Sequence, residues 1–575
     1  MTRLVPIALL TTLLAAAACG DEEEVATAHI RAVVTAATPD SGDARAPEPT
    51  ASDTPVLTLP NGDTLTVRPS VVAFYEARGY RPAWTDQDEI LPRGVSLLEA
   101  VGLANAEGLD RERYHFSTAR EMARLLAEDA AEERKLEYLG SLDLLLTESF
   151  ARLSDDLVAG TIDPDAAGLD WRIERGEVDD RALIERVVAG EDPRTVLGSI
   201  RPRVPYYDRL VRALARLREI DAQGGWPAVS DGDVLEPGDE DVRVAELRAR
   251  LMATDDPEES RLAGYGLDSA LVFDDSLARA LSHFQTRHNL HEDGALGPKS
   301  LAALNVPVED RIEAIRLNLD RWRWLPSDLG DSFILVNIAG FELELVRHDS
   351  AIESMNVVVG KTANRTPVFQ DTLEYMVVNP YWNVPASIAR EEIIPAAARD
   401  PDYLARNNYE VVYDGSTVNP ASVSPEALRN GSYRIRQKPG LGNALGNVKF
   451  LFPNDMDIYL HDTPASHLFS QKSRAFSHGC IRVERPDDLA RTLLGELSDR
   501  DPSDYDALRS RQGEQWVPLD EKIPVYILYF TAWVDDDGTI RFHEDVYQRD
   551  ESLRGEQREK LAPVERRPIA ADAGL

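Results

Sequence analysis

Near residue 332 the spacing of apolar side chains changes, and that change constrains the fold more than any other feature of the chain. Before it, apolar residues recur at helical intervals. "LLEAVGLANAEGLD" and "LDLLLTESFARLSDDLVAG" show this best, and they predict a mainly helical region over 56–235. Gly108 and Gly160 stand where such helices would stop. After it the period drops to two. "FELEL" alternates Phe341, Leu343 and Leu345 with Glu342 and Glu344, behind a turn at Ala339-Gly340. "YMVVNPYWNVP", "VKFLFP", "DIYLHD" and "PVYILYFTAWVDDDGTIRFHEDVY" continue the pattern, the last with a hairpin signal at Asp537-Gly538. Residues 332–550 are therefore expected to form a mostly β, sandwich-like domain.

Between these regions lies a stretch of different character, 236–305. "DVRVAELRARL" puts Val244, Leu247 and Leu251 on one helical face, and "DDSLARALSHFQTRHNL" does the same with Leu277, Leu281 and Phe284. "EDGALGPKSLAAL" adds a Gly/Pro turn and a short helix. A connecting helix is expected over 306–331. Inside the β domain, 387–445 breaks the period with the helical "SIAREEIIPAAARDPDYLARNN" and the Gly-rich "RQKPGLGNALG". An insertion of that size suits a lid. Single cores stop growing near roughly 250–300 residues, so 575 residues imply several domains. The expected fold class is multidomain α+β: a helical scaffold, a small three-helix module, then the β domain with its capping insertion.

The chain opens "MTRLVPIALLTTLLAAAACGDEEE". A basic residue, a short apolar run and small residues before Cys19 have the layout of an export signal over 1–19. "AAAC" resembles a bacterial lipoprotein processing site, which would make Cys19 the lipid-bearing residue of a protein anchored in the cell envelope or periplasm; an ordinary cleaved signal and an uncleaved anchor are the alternatives. Residues 20–55, rich in Ala, Asp, Glu, Pro and Thr, read as a disordered tether, and 551–575 as a polar tail. Net charge is −37, which argues against nucleic acid as a partner.

The chain holds two cysteines. With Cys19 spent at the N-terminus, Cys480 has no disulfide partner, and an unpaired thiol in an exported protein needs a role. An inert buried cysteine is the bland reading. Its surroundings, "FSHGCIRVE", argue for more. A thiol attacks only as thiolate, so it needs a base and donors for the oxyanion it creates. His461 ends the strand "DIYLHD", and Tyr459 lies two residues earlier on the same strand face. Gly479 lets the backbone approach closely, so that the Gly479 and Cys480 amides could share one oxygen. A zinc held by His461, His478 and Cys480 is a competing reading, but the Cys-Gly-His alternation is poor chelate geometry, and metal: none is the expectation. No cofactor is expected either, because no Gly-rich phosphate cradle sits between a strand and a helix.

"YLHDTPASHLFSQKSRAFSHGCIRVERPDDLA" resembles the signature of L,D-transpeptidases with a YkuD-type catalytic domain. "NPYWNVPASIAREEIIP", "KPGLGNALGNVKFLFPN", "TAWVDDDG" and "FYEARGYRPAW" look like the large multidomain, YcbB-like branch. The resemblance implies that Cys480 is the nucleophile taking an acyl group from a peptidoglycan stem peptide and that His461 is its base, oriented by the carbonyl of Asp462, whose carboxylate could itself reach the imidazole. It implies an oxyanion site of Gly479, Cys480 and Tyr459, with His478 supporting the loop. Arg482 and Ser477 would meet the donor, with Trp382 and Asn383 facing the cleft and 387–445 capping it. Residues 236–305 resemble a three-helix peptidoglycan-binding module through Phe284, Gln285, Leu290, Asp293, Gly294, Gly297 and Leu301, with Ser300 replacing the usual Thr and an insertion at "TDDPEESRLAGYGLDSALV". The expected activity is cross-linking of peptidoglycan with release of a terminal D-Ala from a tetrapeptide donor, and carbapenems are the expected inhibitors. An L,D-carboxypeptidase and a non-catalytic wall-binding protein are the alternatives. Membrane contact is expected only through the N-terminus.

Overall fold

A computed structural model describes residues 56–561 except 87, 129–131, 266–269 and 499, together with 27, 28, 30, 31 and 34. The expected lipidation site, Cys19, lies outside the described residues. No described helix is long and apolar enough to cross a membrane. The chain divides into two compact units, 1–163 with 174–219 and 311–328, and 164–173 with 220–310 and 329–575.

The first unit is helical, with a core drawn from residues between Ile30 and Leu197 and a hairpin over 56–66. Gly108 and Gly160 end their helices with φ of 80° and 74°, a backbone that L side chains resist. Asp143 pins this core. Fully buried, it accepts from the amides of Ala83, Trp84 and Thr85 at 2.7–2.8 Å. Residues 27, 28, 30, 31 and 34, placed in the expected disordered tether, are helical. Ile30 and Val34, four residues apart, are buried in the same core. Arg31 lies over the Tyr80 ring at 5.2 Å, so a polar contact joins the i, i+4 apolar pair in docking these residues.

The second unit contains the 236–305 region and the β domain. Val244, Leu247, Leu251, Leu277, Leu281 and Phe284 are all fully buried, as their spacing predicts. Among the described residues the region has four helices rather than three: Val242–Met252, Pro257–Ala263, Asp275–Arg287 and Pro298–Leu304. The extra one is built by the insertion, and Asp256 caps it through the amides of Glu258 and Glu259. The Gln285 side chain donates to Asp293, Ala295 and Ser300 and accepts from the Gly294 amide, at 2.8–3.1 Å. These signature residues thus form a buried clasp that closes the turn.

The β domain is built on strands that start at Ser332–Asn337, buried on both faces, and Glu342–Arg347, buried on one. Eight strands form a hydrogen-bonded ring. Val448–Leu451 pairs Leu460–His461 on one side and Val368–Val378 on the other, so the sheet closes on itself rather than remaining an open sandwich. Closure leaves that rim without a free edge. The insertion is not only helix and loop. It carries a small sheet, Ser416–Val418, Tyr409–Tyr413 and Arg434–Gln437, completed by Trp382–Asn383. Its own core includes Ile393, Ile394, Val411, Leu428 and Ile435.

Candidate active site

Strand register assembles the site. Across the closed sheet, Trp516 pairs Val377, Val377 pairs Lys449, Lys449 pairs His461 and His461 pairs Arg482. Directly paired residues share a face, so these five side chains form one row. Two positions along, Pro518, Tyr375 and Leu451 form a second row. Extending the same register adds Tyr459 and Cys480 to it. Leu460 and Ile481, which intervene on the two central strands, turn inward and are fully buried. Alternation alone therefore puts Tyr459, His461, Cys480 and Arg482 on one face, with Cys480 diagonal to His461.

A tight turn presents the thiol. Gly479 adopts φ 122°, and a Cβ there would press on Ile458 at 3.3 Å. Ser477 is buried; its hydroxyl accepts from the Gly479 amide at 3.0 Å and donates to the Cys480 carbonyl at 2.5 Å. Thr366 donates to the Gly479 carbonyl at 2.8 Å. Two expectations change here. The Gly479 amide is spent on Ser477 and does not face the cleft as an oxyanion donor. Ser477 does not face a substrate; both its hydrogen bonds hold the turn.

The imidazole of His461 is buried, and its Nδ1 lies 2.5 Å from the Asp462 carbonyl. That contact makes Nδ1 the donor and leaves Nε2 as acceptor. The Asp462 carboxylate does not reach the ring. It accepts from the amides of Asn447 at 2.7 Å and Thr463 at 2.6 Å, and a side chain on Gly446 would collide with it. Its role is to fasten the Gly-rich loop. Burial drives the His461 imidazole down to about 3, helped by the charges of Arg482 and Lys449 against the pull of the Asp462 carbonyl. Burial also pushes the Cys480 thiol up to about 11, against hydrogen bonds from the Tyr459 amide and hydroxyl. The resting pair is thus a thiol and a neutral imidazole, not a preformed ion pair.

Tyr459 hydrogen-bonds Cys480, accepts from Trp382, and stacks edge-on near His461 at 5.7 Å between ring centroids. Trp382 therefore supports the thiol through Tyr459. The thiol also lies 3.5 Å from the Asp457 carbonyl. Arg482 is held beside Cys480 and His461, with a buried Nε that has no hydrogen-bond partner among the described residues. His478 turns to the insertion, where its Nε2 lies 3.0 Å from Glu392. Cys480, His461 and His478 are not brought together as three ligands of one metal among the described residues.

A cleft of about 760 Å³ opens over the second row, lined by Leu451, Tyr459 and Cys480 from the sheet and by Asn383, Leu428 and Tyr433 from the capping side. Lys449, Arg390, Arg429 and Arg434 also line it and were not singled out from the sequence. Lys449 was readable only as one polar residue within the apolar run "VKFLF", because its pairing with His461 joins distant strands.

Residues 331–527 match the family described as the L,D-transpeptidase catalytic domain, YkuD. The chain carries a YkuD L,D-transpeptidase catalytic domain. Residues 69–214 match a Scaffold domain family. A Haemophilus influenzae protein whose name assigns it provisionally to the L,D-transpeptidases is 37% identical over 243 residues, 42% of this chain and 49% of that protein. The chain thus spans about half the length of this curated relative. An L,D-transpeptidase structure from Mycobacterium smegmatis is 14% identical over 34% of this chain and 58% of that one, with a TM-score of 0.18. One from Stackebrandtia nassauensis is 15% identical over 52% and 96%, with a TM-score of 0.19. Superpositions that poor add nothing, so the L,D-transpeptidase assignment rests on the family match and the curated relative.

Proposed function

We propose that the protein is a cysteine-dependent peptidoglycan L,D-transpeptidase of the large multidomain branch. The observation that carries this reading is the shared sheet face of Tyr459, His461, Cys480 and Arg482 beneath a capped cleft. Cys480 Sγ attacks the carbonyl of the third residue of a tetrapeptide stem. As the C–S bond forms, the thiol proton passes to His461 Nε2, while Nδ1–H stays on the Asp462 carbonyl. The Tyr459 hydroxyl and the Cys480 amide stabilise the oxyanion. Breaking the C–N bond moves the proton from His461 to the leaving amine, terminal D-Ala. The amine of a second stem then attacks the thioester; His461 takes that amine's proton as the C–N bond forms and returns it to Cys480 Sγ as the C–S bond breaks. Because the free thiol titrates near 11, proton transfer accompanies attack rather than preceding it.

The unpartnered Nε of Arg482 supports a role in receiving the donor's terminal carboxylate. The insertion favours transfer over hydrolysis by excluding water. The Scaffold match and the relative's similarity support the branch assignment. The "AAAC" stretch supports export to the envelope with lipidation at Cys19, and the 236–305 region supports contact with the wall.

The test is incubation with purified disaccharide-tetrapeptide and chromatography of the products. Cross-linked dimer with release of D-Ala is expected. Tripeptide alone would make the protein a carboxypeptidase, and unchanged donor would leave wall binding without catalysis.

A further inference from the structure

The cleft is opposite in charge to the chain that forms it. The sequence has 63 Lys and Arg against 100 Asp and Glu. Yet the cleft walls present Arg390, Arg429, Arg434 and Lys449 against the one carboxylate of Asp457. None of these four cations has a carboxylate partner among the described residues. Neighbouring charges are spent elsewhere: Arg436 on Glu410 at 2.5 Å, and Glu392 on His478 at 3.0 Å. The Arg390 Nε donates back to the Ala386 carbonyl at 3.0 Å. The three arginines are exposed on the cap side of the cleft, and an acidic chain with a surplus of carboxylates leaves them unpaired. Such a group is explained by an anionic ligand that completes it.

Lys449 differs from the other three. It sits in the sheet row beside His461, half-buried, with its ammonium 5.7 Å from the Trp516 ring. Burial holds its pKa below the usual lysine range. Its nearest acidic influence, Glu514, is already used by the Trp516 indole and the Tyr381 amide, both at 3.0 Å.

We propose that the cleft selects a donor peptide carrying at least two free carboxylates, Lys449 receiving one beside His461 and Arg390, Arg429 and Arg434 receiving the others from the cap. This rests on the transpeptidase reading and specifies its substrate: a stem whose side-chain carboxylates are not amidated. A carboxylate seated on Lys449 also offsets a cation that depresses His461, so binding the correct donor strengthens the base.

The test compares two synthetic donor tetrapeptides of one sequence, with free or amidated side-chain carboxylates. Charge-assisted hydrogen bonds are worth about 1.5–3 kcal/mol, so amidation is expected to raise KM by about tenfold or more. The penalty should shrink at high salt, where exposed charges are screened. In the triple variant Arg390→Gln, Arg429→Gln, Arg434→Gln the two donors should differ by less than about threefold, if most of the pairing energy is lost. Arg→Lys replacements at the three positions should restore part of the discrimination. Equal KM for both donors in the wild type, or full discrimination in the triple variant, overturns the proposal. If the wild type turns over neither donor, the transpeptidase reading falls separately. Binding of the two peptides to Cys480→Ala, measured by calorimetry, then decides: tighter binding of the free acid supports charge selection, and equal Kd rejects it.

Discussion

Two polar clusters of the second unit are equally conspicuous as motifs and opposite in what they do with their hydrogen bonds. In the 236–305 region, Gln285 spends its amide on Asp293, Ala295, Ser300 and Gly294. Arg287, buried, is matched by Glu259 and Thr254 at 2.5–3.0 Å. At the cleft and the sheet face beneath it, Arg482 Nε is unmatched, four cations lack carboxylates among the described residues, and a protonated thiol lies diagonal to an imidazole whose Nε2 is left as acceptor. A motif whose polar groups satisfy one another builds a fold, and one that leaves them open awaits a ligand. The Ser-His-Gly-Cys turn itself belongs to the first kind: Ser477 and the Gly479 amide are spent on holding it, while the sulfur it presents borders the cleft.

Substitutions can break this contrast on either side. Cys480→Ala should have the largest effect. It should abolish turnover by at least about 1000-fold, as removal of a nucleophile does, while thermal melting stays within a few degrees. Gly479→Ala forces an L residue to φ 122°. Strain of about 1–3 kcal/mol is expected there, and a misplaced sulfur should cut acylation by about 10–100-fold, read as a fall in kcat with little change in KM. Gln285→Ala should behave conversely. It leaves the buried Gly294 amide without its acceptor, so stability should fall by about 1–3 kcal/mol in a denaturant titration, with the rate of Cys480 alkylation by iodoacetamide unchanged.

The smallest effect sharpens the electrostatic half of the comparison. His461 is depressed to about 3 from an ordinary 6.5, so between those values the unfolded chain binds a proton that the folded one refuses. Its contribution therefore makes stability fall as pH drops from about 6.5 toward 3. His543, also driven to about 3 by burial, adds to the same slope. His461→Gln should flatten part of that slope in melting curves taken across this window. The thiol shows the opposite sign: raised from 9.0 to about 11, it should be alkylated slowly at neutral pH, with a rate that climbs through pH 9–11.

Much of the fold was legible because period two and period 3.6 are local properties. The six apolar residues chosen from the two 236–305 helices are all buried. Tyr459 and His461 could be put on one face by counting. The cap sheet was missed although "YEVVYDGSTV" carries its signal: Asp414-Gly415 has φ of 45° and 75°, the turn that joins Tyr409–Tyr413 to Ser416–Val418. Where the amide of Gly479 goes depended on a serine two residues earlier turning inward, which composition does not encode. Lys449 and Trp516 joined the His461 row only through register between strands far apart in sequence, and non-local pairing of that kind is invisible to a local reading.

The most direct measurement is peptide mapping by mass spectrometry after a short, acid-quenched incubation with disaccharide-tetrapeptide. The account predicts a thioester adduct of the donor minus D-Ala on the fragment containing Cys480, absent from Cys480→Ala and strongly reduced in His461→Gln. A donor that is processed with no adduct on that fragment, or equally well by Cys480→Ala, would contradict it.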